Sequence, residues 1–110
     1  MRTLRFLNPE IQDGLNLTVR NGDKWADARC GDILQVVKTG EEDIELAQVM
    51  VVGAVLTNDV PNEAEYLLKY EHDPSCRTME RLHEVLDEAY PNGWGPNLTL
   101  LFFVPLAESQ

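Results

Sequence analysis

Residues 44–57, IELAQVMVVGAVLT, form the longest predicted strand of the chain. The stretch is rich in β-branched residues, which favour a pleated, half-buried strand over a helix. The alternation of apolar and polar residues slips near Gln48 and Val49, which predicts a bulge or a bend, helped by Gly53. The segments on both sides predict shorter strands and a small number of helices.

Four shorter segments also predict strands, namely residues 3–7, 15–20, 33–37 and 98–106. In LNLTVR at 15–20, apolar and polar residues alternate, so the three apolar side chains are expected to face the core. The opposite, solvent-facing side then carries the polar set Asn16, Thr18 and Arg20. The continuous apolar run at 98–106 predicts a strand that is buried on both faces.

Three segments predict helical structure. Residues 9–14 predict one helical turn that a glycine closes. Over 61–71, a proline at the start and the capping box Asn62-x-x-Glu65 predict a helix. A second helix, over about 76–90, is predicted from an apolar stripe that consists of Met79, Leu82, Leu86 and Ala89.

The order of these elements places few helices among strands that are distant in sequence. Such an order predicts an α+β fold with a curled mixed sheet of five or six strands, a partly open β-barrel, and two main flanking helices. No repeat or linker divides the chain. Residues 1–110 are therefore expected to form a single domain, with a loose tail at 107–110.

The charge of the chain is strongly negative, with 19 acidic against 9 basic residues and a net charge of −10. This argues against non-specific binding to long duplex DNA or to an anionic membrane, because both depend on basic residues. Most of the bases lie in residues 1–40, and most of the acids lie in residues 41–110. An anionic or base-bearing ligand is therefore expected to meet the first 40 residues.

Metal ligands and cysteines are sparse. Cys30 and Cys76 do not make a disulfide framework, and the sequence leaves open whether they meet. The spacing of His72, Cys76 and His83 matches no common zinc arrangement, so neither a metal nor a cofactor is expected. No signal peptide or membrane-spanning apolar run is visible, which favours a cytoplasmic location.

The candidate binding groups lie on one strand face and in two loops. The amide of Asn16, the hydroxyl of Thr18 and the guanidinium of Arg20 are groups that recognise base edges and phosphates. A strand with an ordinary wet face is the alternative. Trp25 and Trp94 lie in predicted loops, where each either stacks on a nucleobase or covers a small core.

Glu71 differs from the other acids because it ends the first predicted helix, between Tyr70 and His72. A carboxylate that aromatic groups shield can serve as a general acid or base. An ordinary exposed glutamate at a helix end is the alternative.

Several of these pieces, in this order, resemble the ASCH branch of the PUA-like fold. The resemblance covers most of the chain and is carried by Leu4-Arg5-Phe6, Thr18-Val19-Arg20, Gly31-Asp32-Ile33-Leu34-Gln35-Val36, Tyr90-Pro91 and the closing strand 100–104. It is closest to the small ASCH proteins that hydrolyse N4-acetylcytidine. The resemblance implies a PUA-like barrel whose cleft binds a nucleoside-type ligand.

In that family a threonine nucleophile, a lysine base and an assisting glutamate act in a cleft of the barrel. Carried over by the resemblance, the threonine falls on Thr18 and the arginine two residues later falls on Arg20. The glutamate falls on Glu71, with Glu65 as the second choice. The lysine is missing, since a leucine stands three residues before Thr18, and Lys24 is the nearest substitute. A threonine hydroxyl without a base is a poor nucleophile.

We therefore expect a small ASCH-type module that binds a nucleoside, a modified base or a short RNA element. Its expected ligand-binding residues are Arg5, Asn16, Thr18, Arg20 and Trp25. The first alternative is an N4-acylcytidine amidohydrolase that uses Thr18, Lys24 and Glu71. The second alternative is an acidic protein that occupies a basic surface of another protein, as nucleic-acid mimics do.

Overall fold

The computed structural model describes residues 2–7, 9–57, 65–71, 77–94 and 97–106. Its strands are β1 (Arg2–Phe6), β2 (Asn16–Asn21), β3 (Ile33–Lys38), β4 (Ile44–Thr57) and β5 (Leu98–Pro105). A 3₁₀ helix covers Glu65–Tyr70, and an α-helix, α1, covers Met79–Ala89. All five predicted strands are present, and β4 has its predicted bounds.

The strands form one mixed sheet in the order β1-β3-β4-β5-β2. β1 and β3 are parallel, and the other neighbouring strands are antiparallel. The sheet curls into a half-barrel, so that its two edge strands, β1 and β2, approach each other. The prediction of an α+β fold with a partly open barrel is confirmed at this level.

Two bulges bend β4, one on either side of Gln48. The pairing with β3 skips Leu46, and the pairing with β5 skips Val52, next to Gly53. A bulge increases the local twist of a strand. The predicted bend is confirmed, and it allows one long strand to serve both halves of the curled sheet.

The sheet has a core on each face. The inner core consists of Leu4, Phe6, Trp25, Ala28, Leu34, Val36, Val49, Val51, Leu101 and Phe103. On the outer face, α1 and the 3₁₀ helix cover β2 and β5 through Leu17, Val19, Leu68, Leu82, Leu86, Leu98 and Leu100. Both faces of β5 are therefore buried, as its continuous apolar run predicts.

Residues 9–14 form no helix, and this prediction is wrong. A single helical turn fixes several backbone dihedrals for one hydrogen bond, which makes it unstable alone. The Asn16 amide instead bonds the backbone of Gln12 and closes the segment as a loop. Gly14 has a φ of 87°, a left-handed conformation that favours glycine at this bend.

The two predicted helices differ from their expected form. The first is a 3₁₀ helix over 65–70, and residues 61–64 lie outside the described residues. α1 begins after Thr78, whose Oγ1 accepts a hydrogen bond from the Arg81 N–H at 3.3 Å. The predicted start at 76 and the tail at 107–110 also lie outside the described residues. No helix in the described ranges is long and apolar enough to cross a membrane.

Candidate functional site

Arg20 lies where the two edge strands meet, at a junction that we name the seam between β1 and β2. Its Nε donates to Thr18 Oγ1 at 3.2 Å, on its own strand. Its Nη2 donates to the backbone oxygen of Arg5 at 2.8 Å, on the other strand. Its Cζ lies 4.8 Å from the centroid of the Phe6 ring. Contacts on both sides of the seam thus hold the guanidinium in place.

The electrostatics of Arg20 reflect its burial. Desolvation lowers the pKa of the guanidinium from its usual value, because burial disfavours the charged form. Coulombic interactions with Tyr90 and, after it, with Glu71 act in the opposite direction and raise the pKa. Glu71 is 2% exposed, and its backbone bridges to Leu17 of β2. The structure therefore brings the predicted Arg20 and Glu71 into electrostatic range of each other.

The guanidinium of Arg20 has donor capacity to spare. An arginine carries five N–H donors in a fixed planar fork. Two of them are used, by Thr18 and by the Arg5 carbonyl. The other three make no hydrogen bond with any residue that the structure describes. A half-buried arginine with unused donors is equipped to bind the acceptor atoms of a ligand.

Thr18 and Asn16 are buried, at 2% and 0% exposure, although the sequence predicts a wet face for them. In the sheet, Thr18 stands opposite Leu101, and Asn16 stands opposite Phe103. Both of these partners belong to the inner core. The prediction fails because alternation describes a flat sheet, whereas curling turns this second face of β2 toward the interior.

The Asn16 amide is occupied by the loop that precedes β2. Its Oδ1 accepts from the Gln12 N–H at 2.9 Å, and its Nδ2 donates to the oxygens of Gln12 and Gly14 at 2.9 and 3.1 Å. Both amide donors are therefore used. Asn16 fixes the loop, and its side chain does not offer the free amide that the sequence predicts for ligand binding.

Lys24 and Trp25 lie in the loop between β2 and β3. The Lys24 residue is exposed, and within the described residues it makes no hydrogen bond with Thr18. Trp25 is 6% exposed and packs in the inner core, with the guanidinium carbon of Arg2 4.0 Å from its ring centroid. Trp25 therefore covers the inner core. Lys24 is not brought within hydrogen-bonding distance of Thr18.

Arg5 contributes to the seam through its backbone only. Its side chain points to the outer face of the sheet, where Nη1 lies 2.5 Å from Oδ2 of Asp43. This pair lines an open depression of about 640 Å³ whose other walls are Thr3, Gln35, Val37, Ile44 and Glu45. The Arg5 side chain is therefore on the face opposite to the Arg20 guanidinium.

The remaining candidates are Trp94 and the cysteine and histidine side chains. Trp94 Nε1 donates to Asp87 Oδ1 at 2.8 Å, and its ring centroid lies 5.2 Å from that of His83. Trp94 therefore packs on α1. Cys30 is an exposed free thiol, whereas Cys76 and His72 lie outside the described residues. No group of three or more metal-ligating side chains occurs in the described part of the chain.

Phe6 and Tyr90 also lie near Arg20, and the sequence predicted neither as its neighbour. Alternation with Leu4 could have placed Phe6 on the inner face. Its position against Arg20 depends on the meeting of two strands that are distant in sequence, and no local pattern reports such a meeting. Tyr90 is fixed at the end of α1, where its hydroxyl accepts a hydrogen bond from the Asn21 N–H at 3.3 Å.

The site thus consists of a clamped guanidinium, a buried hydroxyl and a buried carboxylate in a half-barrel. The resemblance to the ASCH branch rests on the sequence motifs that carry it. No family model, curated protein or solved structure matches this chain.

Proposed function

We propose that the protein binds a nucleoside, a modified base or a short RNA element at the seam between β1 and β2. The observation that supports this proposal is the half-buried guanidinium of Arg20, which retains three unused N–H donors within the described residues. Arg20 donates to oxygen or ring-nitrogen acceptors on the edge of the base. The planar guanidinium can donate to two neighbouring acceptors at once, which a lysine ammonium does less well.

Thr18 and Glu71 have supporting roles in this proposal. The Thr18 hydroxyl holds Nε of Arg20 and so orients the plane of the guanidinium. The carboxylate of Glu71 keeps the buried site close to electrical neutrality, because its charge opposes that of Arg20. A polar base edge is compatible with such a site, whereas binding to long duplexes requires a strongly positive surface. The net charge of −10 agrees with a small, local ligand.

Titration with nucleosides tests the proposal. The four common ribonucleosides and N4-acetylcytidine are added to the wild type, to Arg20→Gln and to Arg29→Gln. Arg29 is an exposed loop arginine, so its replacement matches the charge change without touching the seam. Hydrogen bonds to a charged group contribute about 1.5 to 3 kcal/mol each.

We expect at least one nucleoside to bind the wild type and Arg29→Gln equally. Arg20→Gln should bind it about tenfold to a hundredfold more weakly. Equal affinity of Arg20→Gln and the wild type contradicts the proposal. A complete absence of binding across the panel, in a folded protein, contradicts it for nucleosides and leaves short single-stranded RNA as the next probe.

A further inference from the structure

The backbone of β1 alternates between β3 and the seam. The Phe6 oxygen accepts from the Thr39 N–H at 2.8 Å, so the backbone groups of Phe6 face β3. The N–H and C=O of neighbouring strand residues point to opposite sides. Arg5 therefore turns its backbone groups toward the seam, where its oxygen accepts from Arg20. Although β1 and β2 are at opposite ends of the strand order, this bond joins them.

We propose that Arg20 is a clamp that holds the end of β1 against β2, and that a ligand on its spare donors tightens this clamp. The hydrogen bond to Thr18 fixes the guanidinium to β2. The bond to Arg5 and the contact with the Phe6 ring fix it to β1. One planar group thus spans the seam, and the tightening by a ligand rests on the proposed function.

The start of β1 has a separate anchor. Arg2 donates to Oδ1 of Asp27 and to the oxygen of Lys24, both at 2.8 Å, and it lies over the Trp25 ring. These contacts attach the start of β1 to the loop between β2 and β3 and do not involve Arg20. Loss of Arg20 is therefore expected to release the Phe6 end of the strand and to leave the Arg2 end attached.

Amide hydrogen exchange on the whole chain measures this local release. The wild type, Arg20→Gln and the control Arg29→Gln are compared residue by residue by NMR. The Phe6 amide faces β3, so its exchange reports how often the end of β1, once freed from β2, separates from β3 without unfolding of the central strands. In Arg20→Gln, the Phe6 amide should exchange at least about tenfold faster than in the wild type, and it should still exchange faster than the Val51 amide in β4, whose acceleration reports the general loss of stability. Arg29→Gln should match the wild type throughout.

Two results overturn the clamp. One is an unchanged exchange rate at Phe6 in Arg20→Gln. The other is exchange at Phe6 that is as slow as at Val51 in both proteins, because the end of β1 then opens only when the whole sheet unfolds. If Arg20→Gln does not fold, Arg20→Lys decides, since lysine keeps the charge but lacks the planar fork. Acceleration at Phe6 is then expected, and a wild-type rate at Phe6 overturns the clamp.

The effect of a ligand is measured on the wild type with N4-acetylcytidine and the four common ribonucleosides. A nucleoside that binds should slow exchange at Phe6. Binding without slowing at Phe6 overturns the tightening alone. Absence of binding overturns the proposed function and the tightening with it, whereas the Arg20→Gln comparison still decides the clamp because it needs no ligand.

Discussion

The Nη2 atom of Arg20 donates a hydrogen bond of 2.8 Å to the backbone oxygen of Arg5. The two residues lie on β2 and β1, which are the last and the first strand of the sheet order. The acceptor is a backbone oxygen, so the bond does not require the Arg5 side chain. Arg20 joins the two edge strands through this bond, and it also carries the donors of the candidate site. One residue thus serves both the fold and the site.

Replacement of Arg20 by glutamine should lower the free energy of unfolding by about 2 to 4 kcal/mol. Two charge-assisted hydrogen bonds and the contact with the Phe6 ring are lost together. Urea denaturation measures the change, with Arg29→Gln as the control that should stay within about 0.5 kcal/mol of the wild type. A similar, small effect of both substitutions is incompatible with a structural role for Arg20.

Replacement of Asn16 by alanine should destabilise the protein by about 2 to 4 kcal/mol, although the sequence suggests a ligand-binding role. The substitution removes three hydrogen bonds and leaves part-buried backbone groups of Gln12 and Gly14 without partners. Asn92→Ala, in an exposed turn, serves as the control for urea denaturation. Wild-type stability of Asn16→Ala, combined with a loss of nucleoside binding, shows that the loop assignment is wrong.

Replacement of Trp25 by alanine should cost about 3 to 5 kcal/mol, as for other large aromatic side chains in a core. Trp25 is 6% exposed and belongs to the inner core, whereas Trp94 is half-buried on α1. Trp94→Ala should therefore cost less in the same urea experiment. A larger loss for Trp94→Ala contradicts the assignment of Trp25 as a cover of the inner core.

Hydrolysis of N4-acetylcytidine should be absent in the wild type and in Thr18→Ala. The Thr18 hydroxyl accepts from Arg20, a permanent cation that cannot take up its proton. Within the described residues, Lys24 makes no hydrogen bond with this hydroxyl. Release of acetate is followed by NMR. Turnover by the wild type that disappears in Thr18→Ala contradicts this expectation and supports the amidohydrolase alternative.

The local part of the fold could be predicted from the sequence, and the part that depends on curling could not. β-branched residues placed β4 correctly, and the slip in its alternation near Gln48 and Val49 predicted a bend, which the structure makes with bulges at Leu46 and Val52. Alternation predicted a solvent-facing side for Thr18, and this prediction failed. A local pattern does not show that β1 closes over β2. The stripe of α1 was correct at Leu82 and Leu86, since it depends only on helical spacing.

The same distinction holds for the candidate site. The sequence proposed Thr18, Arg20 and Glu71, and the structure places Thr18 against Arg20, with Glu71 in electrostatic range. It also proposed Trp25 from its loop position and Lys24 as the nearest substitute for the lysine that the family resemblance implies. Loop position does not determine whether a tryptophan turns inward, and it does not determine which strand a lysine can reach.

The most direct measurement of the central claim observes the Arg20 guanidinium itself while nucleosides are added. In ¹H–¹⁵N spectra, the Nε–H signals of Arg20 and Arg29 are followed during titration with the four common ribonucleosides and N4-acetylcytidine. The account predicts that at least one nucleoside shifts the Arg20 signal in a saturable manner and leaves that of Arg29 unchanged. An Arg20 signal that no nucleoside shifts, or equal shifts of both signals, contradicts the account.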